Sequence, residues 1–134
     1  MFENESGCVM DEYNRSSLHY VCIDNAPDKR LKIAKELITS GQDVNAPDND
    51  SWTPLHFAVQ ANCLEVVNLL IENGAYIEAL EVNGNTPLWV ATMNFNEDAQ
   101  VITMLINVGA DPDAKNIHGI SPRDIEADLF NTET

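Results

Sequence analysis

Apolar residues recur along this chain at helical spacing, in blocks separated by polar turns. Leu31, Ala34, Leu37 and Ile38 share one helix face, Leu64, Val67, Leu70 and Ile71 a second, and Ala99, Ile102, Leu105 and Ile106 a third. Each block runs to a glycine, Gly41, Gly74 or Gly109. Glycine takes the left-handed helix-ending conformation without steric cost. Shorter helical patterns precede the second and third blocks: Leu55, Ala58 and Val59, then Leu88, Ala91 and Thr92. Thr53 and Thr86 stand where N-caps belong, each followed by a proline at the first helical position, where a missing N–H costs nothing. Extended segments rich in Asp, Asn and Gly ("QDVNAPDNDSW", "AYIEALEVNGN", "ADPDAKNIHGI") lead from each glycine to the next Thr or Ser.

The pattern repeats. Thr53 to Thr86 and Gly41 to Gly74 are each 33 residues, while Thr86 to Ser121 and Gly74 to Gly109 are each 35. The two extra residues fall in "MNFNED". A degenerate first start lies at "SSLHYVC" and a fourth at "SPRDIEA". One helix pair cannot bury its apolar face alone, but stacked neighbours can, so the repetition predicts an all-α repeat solenoid.

The run "DNDSWTPLHFAVQANCLEVVNLLIENGAYIEA" resembles an ankyrin repeat, from its hairpin through T-P-L-H-x-A to the "NGA" turn. The resemblance covers roughly residues 16–127. It implies about three full units plus a partial C-terminal capping unit, with short hairpin loops projecting from antiparallel helix pairs. Ser16 and Ser17 stand in place of T-P in the first unit, Trp89 replaces the motif histidine in the third, and Arg123 replaces the motif leucine in the fourth. Residues 1–12 are expected to be a loose segment and 13–134 a single ankyrin repeat domain. By the resemblance, His19 and His56 hydrogen-bond backbone near the hairpins and are structural.

Charge changes the functional picture. The formal net charge is −15. Four of the seven basic residues, Lys29, Arg30, Lys32 and Lys35, crowd into "KRLKIAK", and from Glu36 to Ala114 there is no Lys or Arg. Such a field repels nucleic acid and anionic membranes and attracts basic proteins. It also aids solubility. No apolar run approaches the roughly 20 residues that span a bilayer. The N-terminus has no secretory pattern. A cytoplasmic location is expected.

Catalytic chemistry finds little support. Cys8, Cys22 and Cys63 form no C-x-x-C pair and suit small core positions. A Cys63–His56 nucleophile pair lacks motif context, and both residues hold routine repeat positions. No calcium-loop spacing and no phosphate-binding glycine loop occur, so no cofactor or metal is expected. Acids and asparagines near Asp48 and Asp50 suit hairpin turns.

The expected site is therefore a surface, and the expected protein a non-enzyme. In ankyrin proteins partners generally dock on hairpin tips and first helices. Carried over by position, the partner-binding residues are Asp48, Asp50, Trp52, Leu80, Glu81, Val82, Asn85, Trp89, Met93, Phe95, Ile117 and Ile120. The tips are unusually apolar, and contiguous exposed apolar groups mark interaction sites. Trp52 and Ile120 have a second reading, packing against neighbouring hairpins, and Phe95 a second reading, folded back over the helix ends. Asp48, Asp50, Glu78 and Glu81 are expected to form an acidic rim that steers association. The expected function is binding and inhibition of a basic partner, such as a nuclease-type toxin or effector, by a protein that is monomeric when free. Small acidic ankyrin proteins resemble bacterial immunity proteins. The alternative is a regulatory or scaffolding adaptor that recruits without inhibiting. An enzyme using Cys63 or His56 is the least favoured reading.

Overall fold

A computed structural model of the chain describes residues 2–3, 9–95 and 97–130. Its architecture is the expected repeat solenoid. Helices α1 (Ser17–Asp24), α3 (Pro54–Gln60), α5 (Pro87–Met93) and α7 (Pro122–Ile125) form one row. Helices α2 (Arg30–Thr39), α4 (Leu64–Glu72) and α6 (Gln100–Asn107) form a second row behind it. Each unit is one helix from each row, and α7 begins a fourth unit that continues into a 3-10 turn at Ala127–Leu129.

The core follows from the repeat spacing. Leu18, Leu55 and Leu88 occupy equivalent first-row positions and are 0–1% exposed. Leu70 and Leu105 are their second-row counterparts at 0%. These leucines thus recur at fixed positions from unit to unit, and burial contributes roughly 1.5–3 kcal/mol each. The loops between units are also tied together. Asn45 Nδ2 donates to the Gly74 carbonyl at 3.1 Å, and its Oδ1 accepts from Tyr76 N–H at 2.8 Å.

The two ends differ from the middle. Ile33 and Leu37 on α2 are half-buried, whereas Val66 and Leu70, their equivalents on α4, are fully buried. Among the described residues no helix of a preceding unit lies against α2 to cover them. At the other end Phe130 turns back into the core and the Arg123 guanidinium donates to its carbonyl at 3.1 Å. Arg123, which stands in place of the motif leucine, is half-buried and pairs with Asp113 at 2.7 Å. The expectation of a loose segment over residues 1–12 falls partly outside the described residues, at 1 and 4–8. Within the described part, β1 (Phe2–Glu3) pairs antiparallel with β2 (Val9–Met10), and Met10 is buried. In the inserted segment, Phe95 packs against the core. Asn62 Nδ2 holds Asp98 at 3.2 Å.

Because Leu70 sits at the centre of the second row, Leu70→Ala should cost about 2–5 kcal/mol. Urea unfolding monitored by circular dichroism measures it. A loss below about 1 kcal/mol would place the inside face elsewhere.

Candidate protein-binding surface

Four hairpin tips share one construction. In each, an acceptor side chain sits five residues before the Thr or Ser cap: Asp11, Asp48, Glu81 and Asn116. One oxygen of that side chain accepts two backbone N–H groups from its own turn. Asp11 Oδ1 holds Tyr13 and Arg15, both at 2.9 Å. Asp48 Oδ1 holds Asp50 and Trp52 at 2.8 and 2.9 Å. Glu81 Oε1 holds Asn83 and Asn85 at 2.6 and 3.0 Å. Asn116 Oδ1 holds His118 and Ile120 at 2.9 and 3.0 Å. The acceptor residue's own N–H donates across the turn to the carbonyl of residue 15, 52, 85 or 120. Each turn needs one left-handed residue, supplied by Asn14, Ser51, Gly84 and Gly119.

Successive tips are joined by one backbone bond per step. Asn49 N–H donates to the Tyr13 carbonyl, Val82 to Asp50, and Ile117 to Asn83. The tips therefore form a continuous row. At Gly84 the approach is tight: a Cβ there would lie 3.0 Å from Ile117 N and 3.1 Å from its Cγ2.

A second device fixes this row to the helices. Ser16 and Thr53 cap α1 and α3, and the third residue of each helix is a histidine. His19 Nδ1 accepts from Ser16 N–H at 2.9 Å, and His56 Nδ1 from Thr53 N–H at 3.2 Å. An accepting Nδ1 requires the Nε2–H tautomer. Nε2–H then donates to the hairpin of the next unit: His19 to the Trp52 carbonyl at 3.1 Å, His56 to the Asn85 carbonyl at 3.0 Å. Burial, as the largest cause, holds both imidazoles below the ordinary histidine range, although the carbonyl bonds oppose it.

Residues 18–116 match the family model for ankyrin repeats (3 copies). The chain belongs to the ankyrin repeat family. It is similar to the palmitoyltransferase Hip14 of Drosophila melanogaster, 37% identical over 89 residues, covering 65% of this chain and 14% of that one. It is 27% identical over 117 residues to the B-cell lymphoma 3 protein homolog of Mus musculus, covering 87% and 26%. It is 40% identical over 93 residues to neurogenic locus notch homolog protein 1 of Xenopus tropicalis, covering 69% and 4%. The ankyrin chain thus spans only about a quarter or less of these relatives' lengths. Ankyrin repeats mediate protein–protein interaction and bind protein partners. No described helix is long and apolar enough to cross a membrane.

The structure divides the expected site residues into two sets. Asp48, Glu81 and Asn85 are not exposed rim groups. They are 6%, 5% and 7% exposed, because each is committed to building a tip. Asp48 is also paired with Arg15 at 2.9 Å. Trp52 is half-buried, its ring against those of His56 and Phe57 on α3 rather than against a neighbouring hairpin. Trp89 and Phe95 are half-buried against the core. The other set faces solvent: Asp50, Leu80 (58%), Val82 (57%), Met93 (56%), Ile117 (67%) and Ile120 (40%). Of the four acids expected to form the rim, Asp50 and Glu78 are exposed, and Glu78 accepts from Asp111 N–H at 3.4 Å.

Two exposed apolar residues of the same kind escaped the sequence reading. Tyr13 (51%) lies on the first tip, two residues after Asp11 as Asp50 is after Asp48. Ile23 (55%) lies near the end of α1, seven residues after Ser16 as Met93 is after Thr86. The acceptor at a fixed five-residue distance from each cap was the signal for the first tip.

The Cys63–His56 pair is not assembled for catalysis. Both ring nitrogens of His56 are engaged, and His56 is 0% exposed. Cys63 is buried and lies beside Cys22. The hydrogen bond between them lowers the Cys63 thiol and raises that of Cys22. Cys8 lies outside the described residues.

The bridges make stability depend on pH. A histidine whose folded pKa is depressed contributes fully above its unfolded value near 6.5 and loses that contribution as pH falls. Moving from pH 7.5 to 5.5 should therefore cost up to about 1.4 kcal/mol at His56, since folded protein refuses a proton that unfolded chain accepts. Paired urea midpoints check it. The loss between the two pH values should be larger in wild type than in His56→Gln, which cancels the shared response of the carboxylates.

Proposed function

We propose that this ankyrin repeat protein binds and inhibits a basic protein, docking it on the hairpin tips and the adjoining ends of the first helices. The observation that supports this most is the exposed apolar row of Leu80, Val82, Ile117 and Ile120 in a chain of net charge −15. Hairpin turns need no such side chains to fold, and exposed apolar groups side by side favour association. Met93 extends the row onto the first helices. Asp50 and Glu78 supply negative charge at its edge.

In this reading the apolar row supplies affinity and the surrounding acidity raises the rate of encounter. Inhibition is steric: an acidic cover over a cationic cleft shares the electrostatics of the substrate it excludes. A nuclease-type toxin or effector is such a partner, which would make this chain an immunity protein working in the cytoplasm. A second reading draws on the short span the chain occupies in its relatives. There an ankyrin segment is a small part of a long protein, which suits recruitment without inhibition.

The test is affinity capture from the native cell, followed by measurement on the captured partner. A basic protein should be recovered, and its activity should fall when the ankyrin protein is added back. Val82→Asp with Ile117→Asp should weaken binding at least about tenfold, as expected for losing apolar contacts worth more than about 1.4 kcal/mol, with the melting temperature held. Asp50→Lys with Glu78→Lys should slow association and flatten its salt dependence. Binding that survives the first pair unchanged would remove the tip row as the site. Binding without loss of partner activity would select recruitment.

A further inference from the structure

The three joints between hairpin and helix are not equivalent, and the difference lies in one side chain. At α1 and α3 the third helical residue is a histidine, which accepts from the cap's N–H and donates to the next hairpin. At α5 the residue is Trp89. An indole has one donor and no acceptor. It cannot take the Thr86 N–H, so the cap is one-sided there: Thr86 Oγ accepts from Trp89 N–H at 3.1 Å without the reciprocal bond that Ser16, Thr53 and Ser121 all have.

The single donor that remains is also unused. Trp89 Nε1 is buried with no hydrogen-bond partner among the described residues. The carbonyl equivalent to those of Trp52 and Asn85 belongs to Ile120, which accepts from Asn116 N–H within its own hairpin. The fourth hairpin is instead held by Ile117 N–H on the Asn83 carbonyl at 3.0 Å and Asn116 Nδ2 on Asn85 Oδ1 at 2.9 Å. Its neighbours on the chain are firmly placed, since Ser121, Pro122 and Phe130 are buried.

We propose that the fourth hairpin, residues 114–120, is a hinged strap that opens from the row while α7 stays docked, and that Trp89 sets this freedom. Local opening is governed by the bonds that must break, and this joint lacks both bonds that a histidine supplies. Ile117 and Ile120 ride on the strap. If the tip row is the docking surface proposed above, strap movement adjusts the spacing of its apolar residues to the partner. The hinge itself stands without that reading, because it is measured on the free protein.

Amide hydrogen exchange by NMR on the full chain tests it, using matched backbone bonds in adjacent hairpins. Asn116, Ile117 and Gly119 should exchange at least about tenfold faster than Glu81, Val82 and Gly84. Trp89→His should slow the first group by about fivefold or more by restoring the bridge, while Trp89→Phe, which removes only an unused donor, should leave it unchanged. If Trp89→His does not fold, His56→Trp provides the reverse transplant and should speed Glu81, Val82 and Gly84. Equal protection of the two hairpins in wild type would overturn the proposal. So would a histidine at 89 that leaves exchange at Asn116 and Ile117 unaltered, because the freedom would then belong to the chain end.

Discussion

The fold depends on how the backbone N–H groups in the hairpins are satisfied. A hairpin tip of five residues turns too sharply to pair its own amides in full. An oxygen of Asp11, Asp48, Glu81 or Asn116 accepts two of them and closes the turn from inside. An unpaired buried amide costs about 1–3 kcal/mol, a penalty that falls in full on Asn85 N–H, which is buried, and in part on the half-buried amides of the other tips. Once the tips are formed, their backbones are close enough for one bond per step. The histidines then tie the row to the helices. Position, not charge, is what these acceptors supply: Asn116 does at the fourth tip what Asp48 and Glu81 do at the second and third.

This separates two roles that acidic residues play here. Acids inside the tips are part of the fold and are withdrawn from any partner. Acids outside them set the field. Asp48 illustrates the difference, for it lies two residues from the exposed Asp50 yet is closed off by Arg15, whose guanidinium also stacks over Tyr13, Tyr20 and Phe57. The acidic edge of the surface is correspondingly narrower than a reading of charges along the chain implies, and the apolar residues make up more of it.

The helices and their caps were legible because a 33-residue period repeats their signals in place: Thr-Pro before, glycine after, leucine at fixed intervals between. The tips were legible as turns but not as machines. Asp48 and Glu81 look like surface charges in a sequence, since nothing in residue type separates a carboxylate that caps two amides from one that faces water. Distance to the cap separates them, and it holds at Asp11 as well, within a segment whose composition gives no hint of order. Phe95 and Trp52 went to the core for a related reason: an aromatic ring beside a helix end finds apolar contact there before it finds a partner. Ile117, Val82 and Leu80, on or beside the hairpin tips, stay exposed.

Replacing histidine by tryptophan at one joint shows how a repeat protein acquires unequal joints without changing its fold. The shape of the third unit is preserved because α5 keeps its buried face of Leu88, Val90 and Ala91. What changes is only polar bookkeeping at the helix start, where an acceptor is lost and a donor is stranded. In a stack each interface contributes separately to stability, so weakening one leaves the others intact. The weakened joint is the one that carries Ile117 and Ile120, the last apolar residues of the tip row. Rigidity in the first hairpins and freedom in the last are therefore set by the same position in successive repeats, and the sequence reports which is which through the third residue after each Ser or Thr cap.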